Sequence, residues 1–186
     1  NFKKAAGQDN GNLMIANGNQ DSWDDRFDGK TPLNDVFAFD DITVQNYGDL
    51  VIGPAAVVTY STLNWATKGI ITDNGGVFEL VSGGGNLLVP ATTKLLGNTA
   101  RTFTSLTVNG ILSHSSNMTT QRYVLEYTIN GNATVNIGGS IDVNLRGYEW
   151  GYGTGAGGSG SSAGGGLVRT LFPRGEGNAL FALKTL

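Results

Sequence analysis

The chain contains no cysteine, one histidine and four prolines in 186 residues. Without cysteine there are no disulfides and no thiolate chemistry, which is compatible with export but does not fix the compartment. One histidine excludes a multi-histidine metal site. Charge is sparse as well: 15 % of residues are charged and the net charge is −3. The 12 Lys and Arg are scattered, with Lys3-Lys4 the only adjacent pair. No basic patch of the kind nucleic acid requires is present. Long apolar runs are missing too. The longest, such as Val51 to Val58, fall far short of the ~20 residues of a membrane-spanning helix. A glycine tract and the lack of aromatic girdles speak against a transmembrane barrel.

What is abundant is glycine, with 29 residues, about twice its usual share. Asn, Thr and Ser are also plentiful. These residues are weak helix formers and suit turns and half-buried strands. The start at Asn1-Phe2-Lys3 reads as that of a mature, processed or excised segment. The sequons at Asn117 and Asn132 are patterns expected by chance in so Asn- and Thr-rich a chain.

One phrase recurs, an alternating apolar segment, a glycine, then a second such segment. It appears at Ile42–Leu50, Leu106–Leu112, Tyr127–Ala133 and, more loosely, Ile141–Tyr148. Gly48 and Gly69 are separated by the same interval as Gly110 and Gly131, and Gly85 falls between the pairs at unequal intervals. Period-two patterning predicts strands over 42–44, 49–52, 55–60, 69–72, 77–81, 86–89, 102–108, 111–113, 123–129, 133–137 and 140–145. A repeat near twenty residues marks a stacked, quasi-linear fold whose loops absorb insertions. Each short strand buries little alone and gains by stacking on the next.

The expected fold is therefore all-β, a right-handed parallel β-solenoid (β-helix). Roughly 100 residues would form about five coils, a rod near 25 Å long at ~4.8 Å per coil. An antiparallel β-sandwich is the alternative, with Asn109-Gly110 as a two-residue hairpin turn. Residues 1–41 read as an irregular, acidic N-terminal arm or cap, with a strand near Val36 to Phe39. Residues 42–146 carry the solenoid repeats, 147–166 a Gly-rich loop, and 167–186 a C-terminal strand or tail.

The segment Leu106 to His114, then Val135 to Val143, with Gly147-Tyr148 and the glycine tract, resembles the glycine-rich β-helix repeats of large bacterial surface proteins. Filamentous-haemagglutinin-like adhesins and autotransporter passengers are of this style. The resemblance covers about residues 42–166. It implies an exported, surface-exposed role in adhesion or structure, and it carries over no catalytic residue.

Few residues offer chemistry. His114, flanked by Ser113, Ser115 and Ser116, lacks a nucleophile-elbow context and reads as a solvated loop histidine. Asp21, Asp24, Asp25 and Asp28 form a calcium candidate, because calcium takes several oxygen ligands from turn-rich segments. The EF-hand pattern is absent, and the competing reading is a solvated acidic loop. Asp49 and Asp73 approach alignment at the coil length the glycines suggest, as a paired-carboxylate enzyme would need. The competing reading is of exposed charges that keep a rod soluble. Tyr148, Trp150 and Tyr152 alternate, which puts three rings on one side of an extended segment as a glycan-stacking candidate. They serve equally well to pin a loop.

The expected function is a non-enzymatic structural or adhesive module of an exported bacterial surface or filament protein, located at the cell surface or outside the cell. Unpaired strand edges at the ends of the stack lead to self-association or pairing with neighbouring surface-protein segments. Two alternatives are a carbohydrate-binding module or polysaccharide lyase on a β-helix, and a phage tail-fibre or tailspike segment. Calcium is the sole cofactor candidate and glycans the small-molecule partners; nucleic acid and a membrane span are not expected.

Overall fold

A computed structural model describes residues 2–3, 10–18, 29–79, 85–144, 146–148 and 181–185. Among these there is no helix, and so none long and apolar enough to cross a membrane. In chain order the strands are β1 (Phe2–Lys3), β2 (Asn12–Ala16), β3 (Gly29–Leu33), β4 (Val36–Gln45), β5 (Gly48–Ile52), β6 (Val57–Trp65), β7 (Ile70–Asp73), β8 (Val77–Phe78), β9 (Asn86–Val89), β10 (Lys94–Gly97), β11 (Arg101–Phe103), β12 (Ser105–Val108), β13 (Ile111–Ser113), β14 (Leu125–Ile129), β15 (Ala133–Val135), β16 (Ser140–Ile141) and β17 (Phe181–Thr185).

They form four sheets. The first has the order β1-β2-β4-β6-β8, the second β16-β13-β10-β7-β5-β3, the third β11-β14-β17 and the fourth β15-β12-β9. Every pairing is parallel except β1 with β2. The protein is thus all-β with parallel sheets, and the antiparallel sandwich is not what forms. Asn109-Gly110 is no hairpin turn, since β12 and β13 on either side of it belong to different sheets.

Chain order through the sheets is cyclic. From β2 to β7 successive strands alternate between the first and second sheets. From β11 to β16 they visit the third, fourth and second sheets in turn, twice over. Along the second sheet Gly29 meets Gly48, Asp49 meets Ile70, Ile70 meets Lys94, Lys94 meets Ile111 and Ile111 meets Ser140. The steps are unequal, shortest from Lys94 to Ile111 and longest from Ile111 to Ser140. Such long crossovers are what parallel neighbours require.

The register stacks like on like. Leu50, Ile71, Leu95 and Leu112 lie in one column and are fully buried. Leu87 stands beside Leu106, Val89 beside Val108, and Ile42 beside Leu13. The buried apolar side chains of all four sheets join in one core. β7 and β10 bury their opposite face as well: Ile70, Thr72, Lys94 and Leu96 are all 4 % exposed or less.

Glycine marks one corner of all but one of the steps. Gly48, Gly69, Gly110 and Gly139 occupy equivalent positions in the second sheet. A Cβ on any of them would fall under 3.0 Å from backbone atoms of a neighbouring turn of chain. Gly131 and Gly85 are not members of this column. Thr93 fills its fourth step, where its Oγ1 donates to the Pro90 carbonyl at 2.8 Å.

Ahead of Ile42 the chain is already part of the stack: β2 and β3 are paired strands of the same sheets as β4 and β5.

Candidate functional site

Two strands of the second sheet end in polar residues, β7 in Asp73 and β13 in Ser113. Asp73 closes β7 in register with Ile52 and Gly97, so a carboxylate stands in a core-facing column at 1 % exposure. Arg101 opens β11, facing inward with Phe103 two residues on. Its Nε donates to Asp73 Oδ2 at 2.8 Å and its Nη2 to Asp73 Oδ1 at 2.6 Å. Nη2 also donates to the Gly76 carbonyl at 2.7 Å, and the Gly75 amide donates to Asp73 Oδ1 at 3.0 Å. A two-pronged, charge-assisted pair is the strong form of such contacts. The hydrogen bond to Asp73 raises the Arg101 pKa above its usual value despite partial burial.

Tyr127, opposite Arg101 on β14, packs edge-on against Phe103 with ring centroids 5.1 Å apart. Its hydroxyl lies against Gly97, where a Cβ would collide with it. That hydroxyl is buried with no hydrogen-bond partner among the described residues. Burial, reinforced by the Asp73 charge, pushes its pKa far above the usual phenol range.

One residue further along, Asn74, Asn98 and Ser115 link in a ladder. Asn98 Nδ2 donates to Asn74 Oδ1 at 2.8 Å and to Ser115 Oγ at 2.9 Å, and its Oδ1 accepts the Ser115 amide at 2.7 Å. His114, which precedes Ser115, is 1 % exposed rather than solvated. Its Nδ1 lies 2.7 Å from the Ser115 carbonyl oxygen, and burial lowers its pKa from 6.5.

This cluster fastens strands to one another. The carboxylate is held by the guanidinium, the imidazole faces a backbone carbonyl, and the amides bond to each other. The Ser113 hydroxyl points to the His114 carbonyl rather than to the ring. Asp49 and Asp73 do not form a carboxylate pair. They sit three register positions apart, Asp49 beside Ile70 and Asp73 beside Ile52, and an odd offset puts them on opposite faces of the sheet. Nor are they exposed charges: Asp49 is fully buried and accepts the Thr72 hydroxyl at 2.9 Å. Lys94, at 4 % exposure, is likewise buried.

The remaining candidates scatter. Asp21, Asp24, Asp25 and Asp28 lie outside the described residues, as do Trp150 and Tyr152. Tyr148 is half-buried and its hydroxyl donates to Gln121 Oε1 at 3.2 Å. Among the described residues no group of three or more His, Asp and Glu is placed to hold a metal. Asn117, the first sequon asparagine, is buried: its Oδ1 accepts the amides of Arg122 and Tyr123 and its Nδ2 donates to the Tyr123 carbonyl.

A second feature is the edge at which the third, fourth and second sheets end in β17, β15 and β16. Ala133 and Val135 stand in register on Leu106 and Val108, which are buried, yet all of β15 is exposed. Ile137 is fully exposed. Sequence reading missed this end because it assigned 133–137 by alternation alone, and alternation does not reveal which strand lies at the edge of its sheet. It also passed over Arg101 and Tyr127. Their signal was a charge in step with Phe103, in a strand whose other inward positions are apolar.

Comparisons of the chain with protein families, with curated proteins and with solved structures give no match.

Proposed function

We propose that the chain is a right-handed parallel β-solenoid serving as a non-enzymatic structural or adhesive module of an exported bacterial surface or filament protein. The observation that supports this most is the cyclic visit of successive strands to the same sheets, in parallel register from one step to the next. A chain that winds repeats its sheets in order, and winding right-handed is the general rule for parallel crossovers. The polar interior supports the non-enzymatic reading. Asp73 is held by Arg101, and Asn74, Asn98 and Ser115 bond to one another, so these groups are engaged in fastening strands rather than turned to a substrate. Function then resides in shape and in the ends of the rod, where strand edges recruit neighbours.

Two measurements test the reading together. Solution scattering is expected to give an elongated particle. A screen against acidic and neutral polysaccharides is expected to yield no cleavage. Cleavage of any polysaccharide at a rate proportional to protein concentration, lost on heat denaturation, would contradict it in favour of a lyase.

A further inference from the structure

We propose that Asn130 is a site of spontaneous deamidation, at which the Gly131 amide nitrogen attacks the Asn130 side-chain carbonyl. The modification depends on one corner of the chain and goes beyond the scaffold role.

The two reacting groups are neighbours in the sequence, and the co-reactant is water. The bond from Gly131 N to Asn130 Cγ forms and the Cγ–Nδ2 bond breaks. The Gly131 amide proton leaves with the Nδ2 group as ammonia, and a cyclic imide remains. Water then adds to either imide carbonyl, and the ring C–N bond at that carbonyl breaks. Opening at Cγ gives aspartate. Opening at the main-chain carbonyl gives isoaspartate, in which the main chain runs through the former side chain. Either product carries a carboxylate where the amide was. A glycine in second place favours the attack, because no Cβ crowds its nitrogen. The nitrogen must also be free of a hydrogen bond, the carboxamide free to swing onto it, and both open to water.

The chain holds five Asn-Gly pairs, beginning at Asn10, Asn17, Asn74, Asn109 and Asn130. Three of them have the glycine amide engaged. Gly11 donates to Asp40 Oδ2 at 2.9 Å, Gly75 to Asp73 Oδ1 at 3.0 Å and Gly110 to the Val89 carbonyl at 3.2 Å. Two of the carboxamides are tied as well. Asn74 Oδ1 accepts from Asn98 at 2.8 Å, and Asn109 Oδ1 accepts from Asn136 at 2.7 Å. Asn17 is half-buried, and its Cγ and Oδ1 lie against Gly29, where a Cβ would stand 2.9 Å from both.

Asn130-Gly131 has none of these restraints. Both residues are exposed. Among the described residues neither the Asn130 carboxamide nor the Gly131 amide makes a hydrogen bond. The corner is pinned on either side of the reacting groups. The Asn130 amide donates to the Phe103 carbonyl at 2.9 Å, and the Asn132 carbonyl accepts from Leu106 at 2.9 Å. Isoaspartate lengthens the main chain between these two bonds, at the entry to β15 and its seat on β12.

Peptide mass mapping of the full chain, aged at mildly alkaline pH with and without urea, tests this. In urea all five pairs are expected to convert. In the folded chain Asn130 is expected to convert first and to give isoaspartate, detected by methyl transfer from an isoaspartate methyltransferase. The other pairs react only through local opening and are expected to lag by about tenfold or more. Asn130→Gln, on an exposed side chain, is expected to fold as the wild type does by thermal unfolding. It is expected to lose the early acidic shift on ion-exchange chromatography. Three results would overturn the proposal: Asn130 intact in the folded chain while the urea sample converts, any other pair converting first in the folded chain, or an early acidic shift that persists in folded Asn130→Gln.

Discussion

Arg101 closes on Asp73 with two hydrogen bonds although 28 residues separate them in the chain. The pair ties the end of β7 to the start of β11, two strands that belong to different sheets. Its partners differ in solvent access, with side chains 27 % and 1 % exposed. Removing the arginine therefore strands the more deeply buried charge. Arg101→Met is expected to cost about 3 kcal/mol, since breaking a buried pair from one side leaves an uncompensated ion. Asp73→Leu combined with Arg101→Met is expected to recover a large part of that loss. Urea unfolding of both variants and of each single change checks the cycle.

Tyr127 offers the reverse case. Its hydroxyl is buried without a partner among the described residues, and an unmade buried hydrogen bond costs about 1–3 kcal/mol. Tyr127→Phe keeps the ring against Phe103 and removes that atom. The variant is expected to be as stable as the wild type or more so. A loss above about 1 kcal/mol would mean that the hydroxyl has a partner in solution.

The single histidine gives stability a defined pH dependence. Burial lowers the folded-state pKa of His114 below 6.5, so the unfolded chain takes up its proton first as the pH falls. Stability is complete above about pH 6.5 and declines as the pH drops through the window between the unfolded and folded values. The slope there approaches but does not exceed about 1.4 kcal/mol per pH unit, the limit for one proton. In His114→Gln the slope between pH 7 and 5.5 is expected to flatten, whatever the change in absolute stability. Denaturation midpoints at several pH values measure it.

The glycine corner is a steric requirement, not a conformational one. A Cβ on Gly110 would meet the carbonyls of Pro90 and Thr93, and backbone on both sides leaves nothing to yield. Gly110→Ala is expected to cost about 1–3 kcal/mol. Gly147→Ala, with open space around it, is expected to change stability by less than about 0.5 kcal/mol. Thermal unfolding of the two side by side checks the contrast.

The same corner shows what the sequence reveals and where it misleads. Gly48, Gly69 and Gly110 stand out because a Cβ at these three positions would meet backbone of a neighbouring turn of chain. Between Gly69 and Gly110 the column holds Thr93, whose hydroxyl bonds the Pro90 carbonyl instead. A search for glycine skips it and lands on Gly85 and Gly131, which are out of the column. β10 was hidden for a related reason. Lys94, Leu95 and Leu96 are buried on both faces of their sheet, which erases the alternation that flags a half-buried strand. β3, with Gly29 and Pro32, lacks strand propensity and is held by its register on β5. Asp49, Asp73 and His114 read as solvated because charge and polarity predict exposure. Their burial depends on partners such as Thr72 and Arg101, 23 and 28 residues away, which local patterns do not show.

Disulfide trapping reads the parallel register most directly, and the absence of native cysteine leaves the background clean. Asn86 and Ser105 are register partners on β9 and β12, their side chains joined by a 2.8 Å hydrogen bond. Adjacent strands hold such Cα atoms about 4.8 Å apart, within disulfide range. Asn86→Cys with Ser105→Cys is expected to oxidise to an intramolecular disulfide in the folded protein. Asn86→Cys with Thr107→Cys, displaced by two residues to about 8 Å, is expected to stay reduced. Trapping of the displaced pair, or failure of the in-register pair in a folded chain, would contradict the parallel stack on which the proposed scaffold depends.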